Sequence, residues 1–153
     1  KQYRHCIGDT IWAIPAGRLE PDEKPLDCAK RELVEEVGFK ATNVQKLTEI
    51  YSAPGYCNEV IYIFLATELV PDKQKLEDDE IIKVVKLPFA KAIEKVKTGE
   101  ITDAKTVVGL LLAKELVLGL LKIYIIFKAI YVRTSLSLEF IPYLIRGRKD
   151  MNR

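Results

Sequence analysis

The chain has 153 residues, enough for one domain with a core of its own and too few for two of ordinary size. Its 24 Lys and Arg against 22 Asp and Glu give a net charge of +2, and the basic residues do not stripe one helix, so nucleic acid is not an expected partner. Three widely spaced cysteines (Cys6, Cys28, Cys57) and one histidine (His5) supply neither a disulfide framework nor a zinc ligand set.

In chain order, β-branched and aromatic residues first predict a strand near 10–14. A helix over 25–37 follows. Pro25 suits its first turn, where a missing N–H costs nothing, and Leu26, Ala29, Leu33 and Val37 form one apolar stripe. Gly38 stands where a left-handed residue would end it. Strands near 43–51 and 58–67 flank Pro54-Gly55, which favours a turn. A fourth strand is predicted near 80–87, then helices over 88–97 and 102–117. Pro88 opens the first of these, Gly99 lies past its end, and Thr102 or Asp103 can cap the second. Such a mixture suits an α/β/α sandwich around a mixed sheet.

The helix over 25–37 also carries chemistry. Glu32 and Glu36 lie four apart on one face, with Glu35 on the flank. Three carboxylates on two turns repel one another unless something neutralises them. A hard divalent cation does so, and Mg²⁺ takes oxygen ligands of this kind, with substrate phosphates completing its shell. The loop over 17–24 would pass Gly17 close to that site, and the Ala16 backbone carbonyl is a further candidate ligand. Arg31 is expected to point away from the cluster. No serine or cysteine sits in a nucleophile motif, so the chemistry expected is positioning and charge stabilisation rather than covalent catalysis.

Residues 17–39, GRLEPDEKPLDCAKRELVEEVGF, fit the pattern G-x5-E-x7-R-E-U-x-E-E-x-G-U, U being apolar, at Gly17, Glu23, Arg31, Glu32, Leu33, Glu35, Glu36, Gly38 and Phe39. A chance match in so short a chain is on the order of one in a million or rarer. The segment resembles the signature of the Nudix hydrolases. That resemblance implies the Nudix α/β/α fold and Mg²⁺-dependent cleavage of a nucleoside diphosphate linked to another group, with Mn²⁺ as the alternative ion. It implies that Glu32, Glu35 and Glu36 hold the metal, with Glu35 and Glu36 also catalytic, that Arg31 pairs with Glu23 to staple the loop to the helix, and that Gly17 and Gly38 are structural.

The flanks narrow the substrate. Residues 2–20, QYRHCIGDTIWAIPAGRLE, resemble the approach to this signature in the ADP-ribose pyrophosphatase branch, through Gln2, Tyr3, Arg4, Trp12, Pro15, Ala16 and Gly17; Ala13 stands where the branch usually has Glu. Residues 51–60, YSAPGYCNEV, resemble the Pro-containing loop of the same branch, and 76–88, LEDDEIIKVVKLP, its acidic loop. By resemblance Arg4 binds the substrate phosphates, Tyr56 lies against a base or ribose, and Glu59 contacts a sugar hydroxyl or metal. Glu80 serves as general base, with Glu77 in reserve.

The resemblance covers about residues 2–116 and fades afterwards, which divides the chain into a catalytic domain over 1–117 and a hydrophobic, basic extension over 118–153. That extension carries seven basic and two acidic residues. Its charge-free runs are far shorter than the ~18–20 residues of a membrane span, which leaves a segment covering the core, a membrane-surface or partner contact, or a run-on sequence. The sole methionine is Met151, and the Gln-aromatic-Arg motif begins at residue 2, so the chain is expected to lack N-terminal strands of a parent that is a homodimer in this branch. No signal peptide is visible, and cytoplasm is the default location.

The expected function is therefore a Mg²⁺-dependent pyrophosphatase acting on ADP-ribose or a related nucleoside diphosphate sugar, a small-molecule partner. A Nudix hydrolase of nucleoside triphosphates and a non-catalytic nucleotide-binding module are the alternatives.

Overall fold

The structure is a computed structural model describing residues 1–77 and 80–128. A small hairpin comes first: strand β1 (Gln2–Arg4) pairs antiparallel with β2 (Asp9–Ile11), Gln2 opposite Ile11. The predicted strand near 10–14 ends early because the Ile14 N–H leaves the ladder and donates to Thr106 Oγ1 at 3.0 Å.

Helix α1 spans Pro25–Val37, with Pro at its start as expected. Gly38 closes it at φ 70°, a left-handed conformation that costs a glycine nothing, and donates its N–H to Val34 O at 2.9 Å. The chain turns straight into strand β3 (Phe39–Tyr51), which pairs antiparallel with β4 (Val60–Pro71) along nearly its whole length. A register shift between Lys46 and Thr48 interrupts the ladder.

Strand β4 is buried on both faces, and its alternation sorts the core into layers. Phe64 packs with Cys28 and Ala29, and Ala66 with Leu33, all three partners on α1. On the other face Ile61 and Ile63 meet Ile14 and Val108. Val108 belongs to helix α3 (Ala104–Lys128), which helix α2 (Phe89–Lys97) precedes. Helix, sheet and helix are stacked as the sequence predicted. The expected mixed sheet takes the form of two antiparallel ladders among the described residues.

Two elements differ from expectation. Residues 80–87 form no strand; they make one isolated antiparallel bridge, Ile82 to Gln2, plus a bond from Lys83 N–H to Lys1 O at 2.9 Å. Their β-branched residues favour extended backbone, but among the described residues their only strand partner is the three-residue β1, and Ile81 stays 82% exposed. Helix α3 runs unbroken across the expected boundary at 117/118 as far as Lys128, with no proline to stop it. The rest of the extension, 129–153, lies outside the described residues. Among those that are described, no helix is long and apolar enough to cross a membrane.

Asp103 caps α3, as the sequence suggested. Its Oδ2 accepts from the Thr106 N–H at 3.1 Å and from the Thr106 hydroxyl at 2.5 Å. The same hydroxyl oxygen holds Ile14. Thus the cap of one helix fixes the backbone just before Ala16 and Gly17, which face the carboxylates of another.

Candidate active site

The acidic edge of α1 is held by its apolar one. Leu33 is 2% exposed, and its burial against Ala66 turns Glu32 and Glu36 toward the 13–18 segment. The end of α1 is fixed from behind by the chain leaving β4: Gln74 Nε2 donates to Glu36 O at 2.6 Å, and Lys75 N–H to Glu35 O at 3.0 Å. These bonds satisfy helix-end carbonyls that would otherwise lack partners.

Glu36 is 3% exposed, and its Oε2 accepts from the Ala16 N–H at 2.7 Å. A cavity of about 120 Å³ adjoins it, walled mainly by apolar side chains that include Trp12, Val37, Phe39 and Leu110. Burial pushes the Glu36 carboxyl up to about 7; the Ala16 bond and the charge of Arg4 oppose this, and Glu32 and Glu80 add to it. Burial also raises Glu32 above the usual carboxylate range, opposed by Arg31 and reinforced by Glu35 and Glu80. Glu32, Glu36, Glu80 and Arg4 therefore share one electrostatic neighbourhood, although they come from three separate stretches of chain.

Gly17 is where the loop passes closest. A Cβ built on it would lie 1.6 Å from Glu32 Oε1, so only glycine leaves room for that carboxylate where it stands. Gly17→Ala is expected to push the flexible end of Glu32 aside, with little effect on stability and a fall in kcat of about a hundredfold. Steady-state kinetics beside a thermal melt would check this, and an unchanged kcat would contradict the placement.

Arg31 is paired with Glu23 as expected, Nε to Oε1 at 2.9 Å and Nη2 to Oε2 at 3.0 Å. That fork holds the Glu23 carboxyl down at about 2. The expectation that Arg31 points away from the acidic cluster is corrected by its other end. Nη1 donates to Glu32 Oε1 and to Glu35 Oε2, each at 2.7 Å, because the guanidinium is long enough to span loop and helix at once.

The other expected site residues divide. Glu80 lies within electrostatic reach of Glu32 and Glu36, and its Oε2 accepts from the Glu77 N–H at 3.2 Å, whereas Glu77 itself is exposed. Tyr56 is 90% exposed and lines a separate shallow depression with Tyr51, Pro54, Cys57 and Asn58, away from the carboxylates. Glu59 is buried at the start of β4's approach, its backbone bonded to Ser52 and to Cys57 Sγ. Gln74, Thr106 and the Arg18 carbonyl, which takes an Arg31 N–H at 2.9 Å, were not anticipated. Gln74 had no local signal; Thr106 could have been found as the third residue after a capping Asp.

The donor set suits a hard divalent cation: carboxylates on one helix face, of which Glu32 and Glu36 are buried and the charge of Glu32 helps raise Glu36. Among the described residues no three acidic, histidine or cysteine side chains already converge as a ligand set. Arg31 draws Glu32 and Glu35 to itself instead.

The NUDIX domain family matches residues 1–108. The chain belongs to the Nudix family. Its Nudix region is 41% identical over 108 residues to an ADP-ribose pyrophosphatase of Bacillus subtilis, covering 69% of this chain and 58% of that protein. A GDP-mannose pyrophosphatase of Escherichia coli K12 is 43% identical over 97 residues, covering 60% of this chain and 49% of the other. A solved structure described as an ADP compounds hydrolase superposes with a TM-score of 0.60 at 29% identity, over 67% of this chain and 55% of that one. The Nudix α/β sandwich is thereby shown. The chain spans about half the length of the curated relatives it matches.

Proposed function

We propose that the chain carries the catalytic machinery of a Mg²⁺-dependent pyrophosphatase acting on ADP-ribose or a related nucleoside diphosphate sugar and releasing a nucleoside monophosphate and a sugar phosphate. The observation that carries this reading is the burial of Glu32 and Glu36 on one face of α1 against the Ala16–Gly17 backbone, with Arg4 and Glu80 within electrostatic reach. The relatives named for ADP-ribose and GDP-mannose support the substrate class.

Glu32, Glu35 and Glu36, with the Ala16 carbonyl, would hold Mg²⁺, or Mn²⁺ in its place. The ion would shield the phosphate oxygens and polarise a water. Arg4, whose charge already reaches Glu36, binds the diphosphate through its fixed charge and forked donors. Glu80 takes the proton of the attacking water as its oxygen bonds to phosphorus and the bridging P–O bond breaks. Its charge reaches Glu32 and Glu36, which favours it over the exposed Glu77. Tyr56 and Glu59 bind the base and sugar ends in this reading, on the strength of the loop's resemblance alone. A catalytic unit over 1–117, a homodimeric parent and a cytoplasmic setting belong to the same proposal.

A panel of ADP-ribose, ADP-glucose, GDP-mannose, NADH and nucleoside triphosphates with Mg²⁺ tests it. Turnover of a diphosphate sugar over the triphosphates is expected. Preferred triphosphate turnover would refute the substrate class, and binding without turnover would favour a nucleotide-binding module.

A further inference from the structure

Arg31 uses all five of its N–H donors on five oxygens. Three of these bonds, through Nε and Nη2, go to the Glu23 carboxylate and the Arg18 carbonyl and tie it to the 17–24 loop. The other two leave Nη1 for Glu32 Oε1 and Glu35 Oε2. These last two oxygens belong to the carboxylates assigned above to the cation. The Glu32 side chain is a tenth exposed and the Glu35 side chain about a third, so water screens the Nη1 contact with Glu32 less than the one with Glu35. A guanidinium there does for the metal-free helix what a cation would do: it offsets the mutual repulsion of carboxylates on adjoining turns.

We propose that Arg31 is an internal counterion that neutralises Glu32 and Glu35 in the metal-free protein and yields its two Nη1 contacts to a divalent cation, while Nε and Nη2 stay clamped to the loop. The proposal rests on the assignment of Glu32, Glu35 and Glu36 as cation ligands. The two clamps differ in what they need. Glu23 receives a bidentate fork from one planar group, whereas Nη1 contributes one hydrogen bond to each of two carboxylates, and each carboxylate can leave it by rotation of its own glutamate side chain while the rigid guanidinium stays in place. The loop therefore keeps its anchor through the exchange, and the site passes from one positive partner to another without an interval of unpaired charge. Binding and guanidinium contact are then antagonistic, and by linkage whatever weakens the Nη1 contacts strengthens cation binding by up to the same factor.

The test is Mn²⁺ binding without substrate, read from the free-ion paramagnetic resonance signal, on the wild-type chain and Arg31→Lys, with thermal melts in chelator. A lysine keeps the charge but cannot span Glu23 and the helix carboxylates together. Arg31→Lys is expected to melt lower without metal and to bind Mn²⁺ at least about fivefold more tightly. A merely structural role would lower the melt and leave the affinity unchanged or weaker, and that result overturns the proposal. Should Arg31→Lys fail to fold, arginine side-chain nitrogen resonances of the wild-type protein decide. Saturating Mg²⁺ is expected to free rotation and proton exchange at Nη1 while the Nε signal persists, and unaltered Nη1 protons would overturn the proposal. Absence of any Mn²⁺ binding by the wild type would sink the cation assignment itself, an outcome distinct from binding that ignores Arg31.

Discussion

Glu36→Gln is expected to lower turnover on the order of 10³-fold while making the metal-free protein more stable at pH 8. The two effects share one cause. Burial raises the Glu36 carboxyl from 4.5 to about 7, so between those values the folded chain binds more protons than the unfolded one. The stability this proton contributes is fully present below about 4.5 and is lost as pH rises through 7. At pH 8 the ionised, desolvated carboxylate therefore costs the metal-free fold up to about 3 kcal/mol. Glutamine has the same shape, carries no charge, and offers a carbonyl oxygen to the Ala16 N–H that Glu36 now accepts. Melting curves in chelator at pH 5 and pH 8 check the sign: the variant should gain on the wild type as pH rises. A variant less stable than the wild type at pH 8 would contradict the burial argument. Added Mg²⁺ should stabilise the wild type at pH 8 and barely affect the variant.

Leu33→Ala is expected to cost ~2–5 kcal/mol. Leu33 is 2% exposed and packs against Ala66, with Val37, Phe39, Ala41, Val44 and Leu69 around it. Its principal buried neighbour is already an alanine, so little side-chain bulk is at hand to refill the space. Urea unfolding measures the loss directly, and a change below about 1 kcal/mol would mean that α1 is held to the sheet by something else. Leu33 immediately follows Glu32, so the cost of its removal measures how firmly the carboxylates are carried.

Much of this arrangement was legible because the signals were local. Pro25, the apolar stripe and Gly38 act within a turn or two of their own positions, and α1 runs over the predicted residues with its left-handed end at Gly38. Asp103 as a cap was legible for the same reason. Residues 80–87 were misread because β-branched composition sets a backbone preference without supplying a partner strand. Ile14 likewise left its ladder for a hydroxyl 92 residues away, a contact no window of sequence contains. The pairing of Arg31 with Glu23 follows from the family's loop. Its further reach to Glu32 and Glu35 depends on where a long side chain lies once loop and helix are docked. Gln74 supports Glu36 across 38 residues, and only the return of β4 past the end of α1 brings them together.

In the proposed function the acidic face of α1 serves Mg²⁺-dependent cleavage of a diphosphate linkage. Its most direct test is phosphorus NMR of ADP-ribose incubated with the chain and Mg²⁺, with Glu36→Gln and a chelator control in parallel. AMP and ribose 5-phosphate are expected from the wild type alone, and only with the metal. Cleavage that persists in chelator, or equals the wild-type rate in a folded Glu36→Gln variant, would contradict it.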